Sequence, residues 1–138
     1  MARTLLLLVA LLTGQCCYGL DAQQAHVLIK QQKPELLGDG SQLVSLYYFG
    51  HSATTSIVGL ERVGEDYLPI RWLLIFKGEE LLGWYYPAYE FPSKFDAGYL
   101  KFPQGAKVQD VYLWPAPPPS ITIGNTVVPF FKTDKQIN

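Results

Sequence analysis

Hydrophobic positions along this chain fall into two regimes. Near the start, Leu5 to Leu12 is one unbroken apolar run. From Leu43 onward, apolar and aromatic segments of four to eight residues alternate with breaks built from Gly, Pro, Asn, Asp and Ser. Segments of that length, rich in Val, Ile, Tyr and Phe and bounded by turn residues, predict β-strands. They cover Leu43–Phe49, Ser56–Val63, Ile70–Phe76, Glu80–Tyr86, Tyr99–Phe102, Val108–Trp114, Ser120–Ile123 and Thr126–Phe131. Lys77-Gly78-Glu79 and Gly124-Asn125 are the clearest hairpin turns, because Gly supplies the positive φ that tight turns need. Polar, small-residue stretches at Gly50–Thr55, Ser93–Gly98 and Pro103–Lys107 read as connections. Strands this short and this regularly spaced predict an all-β antiparallel sandwich, immunoglobulin-like, with a small β-barrel as the alternative.

Ahead of the strands, residues 20–40 read differently. Asp21 is placed to cap a helix on which Ala22, Ala25, Leu28 and Ile29 form an apolar stripe, until Pro34 interrupts it. A short helix or a flexible arm both fit. Residues 41–138 then form a single β-domain.

The apolar run changes the picture of where the protein goes. Arg3 precedes it and small residues follow, with Cys17 and Gly19 set for cleavage after Gly19. That order reads as a secretory signal peptide over residues 1–19, hence a secreted or periplasmic product. The run falls well short of the roughly 20 residues a spanning helix requires, so no transmembrane span is expected. A lipid anchor at Cys16 or Cys17 wants a small residue before the cysteine, and Gln15 and Cys16 do not supply one. With the leader gone no cysteine remains, which removes disulfides, thiolate metal sites and Cys nucleophiles.

Charge narrows the partners. Eleven Lys and Arg stand against 12 Asp and Glu, without clusters, so the basic patch that nucleic acid demands is not expected. For catalysis the inventory is thin. His26 and His51 are the only histidines, and His51-Ser52 on an extended chain would point to opposite sides. Glu61, Glu65, Asp66, Glu79 and Glu80 could supply an acid–base pair for glycoside hydrolysis, but all except Glu61 fall in expected turns. Neither a zinc cluster nor a calcium loop is apparent, and no cofactor is expected.

One signal rises above this background. The segment Gly83–Pro92, GWYYPAYEFP, packs five aromatic rings into ten residues. Rings presented on a surface stack on sugars or partner side chains, and Tyr and Trp add a polar tip. Strand alternation divides the set: Trp84 and Tyr86 share one face, Tyr85 lies on the other, and Pro87 ends the strand before Tyr89. Trp72, Tyr112 and Trp114 are further rings on neighbouring strands. The proline run Pro115–Pro119 reads as a stiff crossover, with a polyproline ligand as the alternative.

The sequence therefore predicts a non-catalytic interaction module recognising a protein or glycan of the cell envelope or extracellular space. Trp84, Tyr85, Tyr86 and Tyr89 are the candidate contact residues. The alternatives are a small carbohydrate-active protein and a structural component that pairs through an edge strand, with the Thr126–Phe131 hairpin as the place to look.

Overall fold

The computed structural model describes residues 20–103, 109–113 and 115–134. Residues 1–19, expected to be a leader and holding both cysteines, most of the expected Pro103–Lys107 turn, and Trp114 lie outside the described residues. Helix α1 spans Ala22–Gln32 and a 3₁₀ turn follows at Pro34–Leu37. The strands are β1 Leu43–Ser52, β2 Thr55–Val63, β3 Pro69–Lys77, β4 Glu80–Tyr85, β5 Lys94–Asp96, β6 Tyr99–Lys101, β7 Val111–Tyr112, β8 Ser120–Ile123 and β9 Thr126–Lys132.

All pairings are antiparallel. Six strands form one sheet in the order β1-β2-β3-β4-β9-β8, and β5-β6-β7 form a second. The large sheet stays open, with β1 and β8 at its edges, so the barrel alternative falls. Strands β1 to β4 run as a meander within one sheet, whereas an immunoglobulin-type chain passes repeatedly from sheet to sheet. What holds, among the described residues, is an all-β, sandwich-like architecture with one short helix.

Strand alternation explains how one sheet serves two cores. Even-numbered side chains of β2 and β3, among them Val58, Leu60, Trp72, Leu74 and Phe76, point to the helix side together with Leu81 and Trp84 of β4, where Ala25, Ile29 and Leu36 meet them. Odd-numbered Ile57, Leu73, Ile75 and Tyr85 point the other way, onto Phe95, Leu100, Phe102 and Leu113 of the small sheet and its connections. Trp72 to Phe76 are consequently buried without interruption, since β3 has cover on both faces. Each such side chain removed from water contributes roughly 1.5–3 kcal/mol.

Helix α1 is no flexible arm. Asp21 and Gln24 form a reciprocal capping box, and Ala25 and Ile29 are fully buried. At the far end the Gln32 amide donates to Glu79 O (2.6 Å) and accepts from Leu81 N–H (2.8 Å), which fastens the helix to the β3–β4 turn.

Two local differences from the sequence pattern have physical causes. β1 runs through the expected connection to Ser52 because a bulge at Phe49 lets the strand continue past Gly50, and the turn contracts to Ala53-Thr54. Gly50 has φ 126°, and a Cβ there would lie 2.5 Å from Phe95 O, so only glycine lets β5 cross so closely. Lys94–Asp96, read as turn, pairs with β6 as β5.

Candidate functional site

The aromatic segment 83–92 is dealt out to three places. Gly83 lets β9 approach, since a Cβ would collide with Phe131 O and the Phe130 ring. Trp84 goes to the helix side and is partly buried there. Tyr85 is wholly buried at 0 % exposure; its ring tilts against Phe130 at 4.9 Å and its hydroxyl donates to Pro118 O at 2.8 Å. Burial holds that hydroxyl well above the usual phenol range, so it stays protonated. Tyr85 is a core residue and leaves the set of candidate contacts.

Tyr86 returns to the helix side and stacks on Trp72, with centroids 5.1 Å apart and planes 23° from parallel. On Trp72 the guanidinium of Arg62 lies 4.5 Å from the ring centroid, and Arg62 Nη1 donates to the carbonyls of Glu35 and Leu36. This column of cation and rings clamps the 3₁₀ turn onto the sheet. It explains the half-burial of Tyr86 without a ligand.

Beyond the cis Tyr86–Pro87 bond the chain follows β3, where Ala88 N–H donates to Arg71 O. Tyr89 stands 62 % exposed, and its carbonyl accepts from Arg71 Nη1 at 3.4 Å. Phe91 then turns back over the sheet. Its ring occupies the space a Gly59 side chain would need, at 2.9 Å from that missing Cβ. There it meets Phe49 at 5.3 Å, Tyr47 at 5.7 Å and the Arg71 guanidinium at 5.7 Å.

A different constellation emerges on the sheet face opposite the helix. Arg71 Nε donates to Glu61 Oε2 at 2.8 Å, and the Tyr47 hydroxyl donates to Glu61 Oε1 at 3.5 Å. The register explains this, because Glu61 is the cross-strand partner of both Ser45 and Arg71, and Tyr47 sits one repeat along on the same face. The small sheet covers the Ile57, Leu73 and Ile75 end of this face. At the other end Leu43, Tyr47 and Pro69 are open to solvent around the half-buried ion pair. Tyr47, Glu61, Arg71 and Phe91 thus form a patch of rings around a paired charge, and Tyr89 adjoins it through its carbonyl on Arg71.

Four of these five lay outside the expected contact set, and only Tyr89 belongs to both. Aromatic content along β1 was the available signal for Tyr47. Glu61 and Arg71 needed the β2–β3 register, which composition does not reveal.

Other chemistry stays dispersed. Glu65 and Asp66 lie in the β2–β3 turn and Glu79 and Glu80 at the β3–β4 turn, at opposite ends of β3, while Glu61 is held by Arg71. His26 is exposed on α1, and His51 Nδ1 lies 2.9 Å from the Tyr48 hydroxyl instead of meeting Ser52. Among the described residues no three His, Cys, Asp or Glu side chains group to hold a metal. No helix among them is long and apolar enough to cross a membrane. Compared with protein-family models, curated proteins and solved structures, the chain finds no match in any of the three.

Proposed function

We propose that the chain is a non-catalytic binding domain, delivered to the periplasm or exterior by its leader, that recognises a protein or glycan through the open half of its outer sheet face. The observation that carries the reading is the cluster of Tyr47, Phe91 and Tyr89 around the Glu61–Arg71 pair. Tyr and Arg combine a broad contact surface with polar tips, the composition from which interaction hot spots are built. The patch is pre-organised: Arg71 is tied to Glu61 and to the Tyr89 carbonyl, and Phe91 is wedged over Gly59, so little ordering remains when a partner docks.

The half-buried ion pair adds only about 1 kcal/mol to stability after desolvation and solvent screening, so its main effect is to aim the guanidinium. A sugar would lay its apolar face on Tyr89 or Tyr47 and place hydroxyls at Glu61 and Arg71. A protein partner would seat an aromatic or acidic side chain there.

The test is binding of the secreted chain to arrayed glycans and to surface proteins of its source cell. Tyr89→Ala and Arg71→Ala should each weaken capture roughly tenfold or more, as central contact residues do. Tyr99→Ala, on the small sheet, should leave it unchanged. Capture unaffected by the first two substitutions removes this face from the reading.

A further inference from the structure

Sheet edges carry unpaired N–H and C=O groups, and proteins guard them with short strands, prolines and charges. Among the described residues the edges here are treated unequally. β8 is four residues long and follows Pro117, Pro118 and Pro119. In the small sheet β5 carries Lys94 and Asp96, and β7 has two residues. β1 has ten residues, LVSLYYFGHS, without a proline, Lys, Arg, Asp or Glu. Its one guard is the bulge at Phe49, which leaves Leu43–Tyr48 as a straight, uncharged edge.

The hydrogen-bonding direction of that edge follows from the pairing. Two-residue turns close β1 on β2 at Ser52–Thr55 and β3 on β4 at Lys77–Glu80, and Ala88 N–H donates to Arg71 O on the β4 side. Antiparallel alternation carried inward from both turns makes Leu43, Ser45 and Tyr47 bond to β2. Val44, Leu46 and Tyr48 are then left with their N–H and C=O directed outward.

We propose that β1 pairs with β1 of a second copy of this chain, antiparallel, about a two-fold axis at Ser45. The strand is complementary to itself in that register. Val44 meets Leu46 of the other copy as a hydrogen-bonded pair on the helix side, and Ser45 meets its own counterpart. Leu43 meets Tyr47 on the outer face, and these are 70 % and 42 % exposed in the single chain. An edge without charge can oppose its own copy with no like-charge pair, which a Lys- or Glu-bearing edge cannot. The pairing joins two six-stranded sheets and sets two Glu61–Arg71 patches side by side on one surface, beyond what the single binding domain offers. A contact of one strand's length belongs to the weak, concentration-dependent class of association.

The experiment is sedimentation equilibrium of the purified chain, with Ser45→Lys and Ser45→Glu measured singly and mixed. Each variant alone places like charges at the axis and should weaken the dimer roughly tenfold or more, the Glu variant most, because Glu61 is its cross-strand neighbour. Mixing the two should restore a dimer, which also shows that both are folded. In the unsubstituted chain the amides of Val44 and Leu46 should exchange more slowly as concentration rises. This arm decides the matter if a variant misfolds. A chain monomeric to millimolar concentration, a dimer indifferent to both substitutions, folded variants that fail to recover on mixing, or amide exchange independent of concentration would each overturn the pairing.

Discussion

Tyr85 shows how far a side chain's role depends on its neighbours. Inside a run of rings it is the one whose hydroxyl is locked, donating to Pro118 O from a fully buried site. Tyr85→Phe should lower stability by about 1–2 kcal/mol near neutral pH, by leaving that carbonyl unpaired. The same residue has a pH signature. Its folded pKa is raised, so its contribution is complete below the unfolded value of about 10 and is lost as pH climbs above it, when the unfolded tyrosine ionises first. Denaturant midpoints between pH 9 and 11.5 should therefore fall less steeply for Tyr85→Phe than for the parent chain; equal slopes would place the ionisation elsewhere. Gly50 makes the opposite point, since its importance lies in having no side chain. Gly50→Ala forces a positive φ and a Cβ onto the Phe95 carbonyl, so it should cost roughly 2 kcal/mol or more, measurable in the thermal midpoint.

At the scale of elements, α1 is a working part of the core. Ile29→Ala should destabilise the whole domain by about 2–5 kcal/mol, and Asp21→Ala by about 1 kcal/mol through the lost cap. Calorimetry showing a single transition shifted by these amounts fits a helix that melts with the sheet. An unchanged midpoint would make α1 peripheral. The sequence showed the cap and the Ala25 and Ile29 stripe, but its weak amphipathic pattern did not say what the stripe packs on. The strands were legible where apolar runs met Gly-bearing turns, as at Gly78 and Gly124, both at positive φ. They were illegible where polarity and pairing disagreed. Gly50-His51-Ser52 looked like a loop and is strand, because a bulge absorbs the irregularity. The Thr126–Phe131 hairpin looked like an edge, and its other strand β8 is one, but β9 itself lies between β4 and β8. That placement is a long-range choice which no local pattern encodes.

For the whole molecule, the same long-range pairing decides where the functional surface lies. Alternation in GWYYPAYEFP separated Tyr85 from Trp84 and Tyr86, and the structure adds that the helix side consumes the latter two in packing. Only Tyr89 emerges from the original set. It joins Tyr47, Glu61, Arg71 and Phe91, residues spread over 44 positions of sequence and united by the β1-β2-β3 register and the return of the chain over Gly59. A second exposed ring pair, Tyr99 and Tyr112 at 4.6 Å on the small sheet, lies beside the looser, exposed Lys101–Asp96 pair at 3.9 Å and serves as the internal rival. The decisive measurement is the dissociation constant for the captured glycan or surface protein, compared across Tyr89→Ala, Arg71→Ala and the double substitution of Tyr99 and Tyr112 to Ala. Loss of roughly tenfold or more in affinity for the first two, with the double variant unchanged, is the predicted result. Undiminished affinity in the first two, with loss in the double variant, would contradict the account and move recognition to the small sheet.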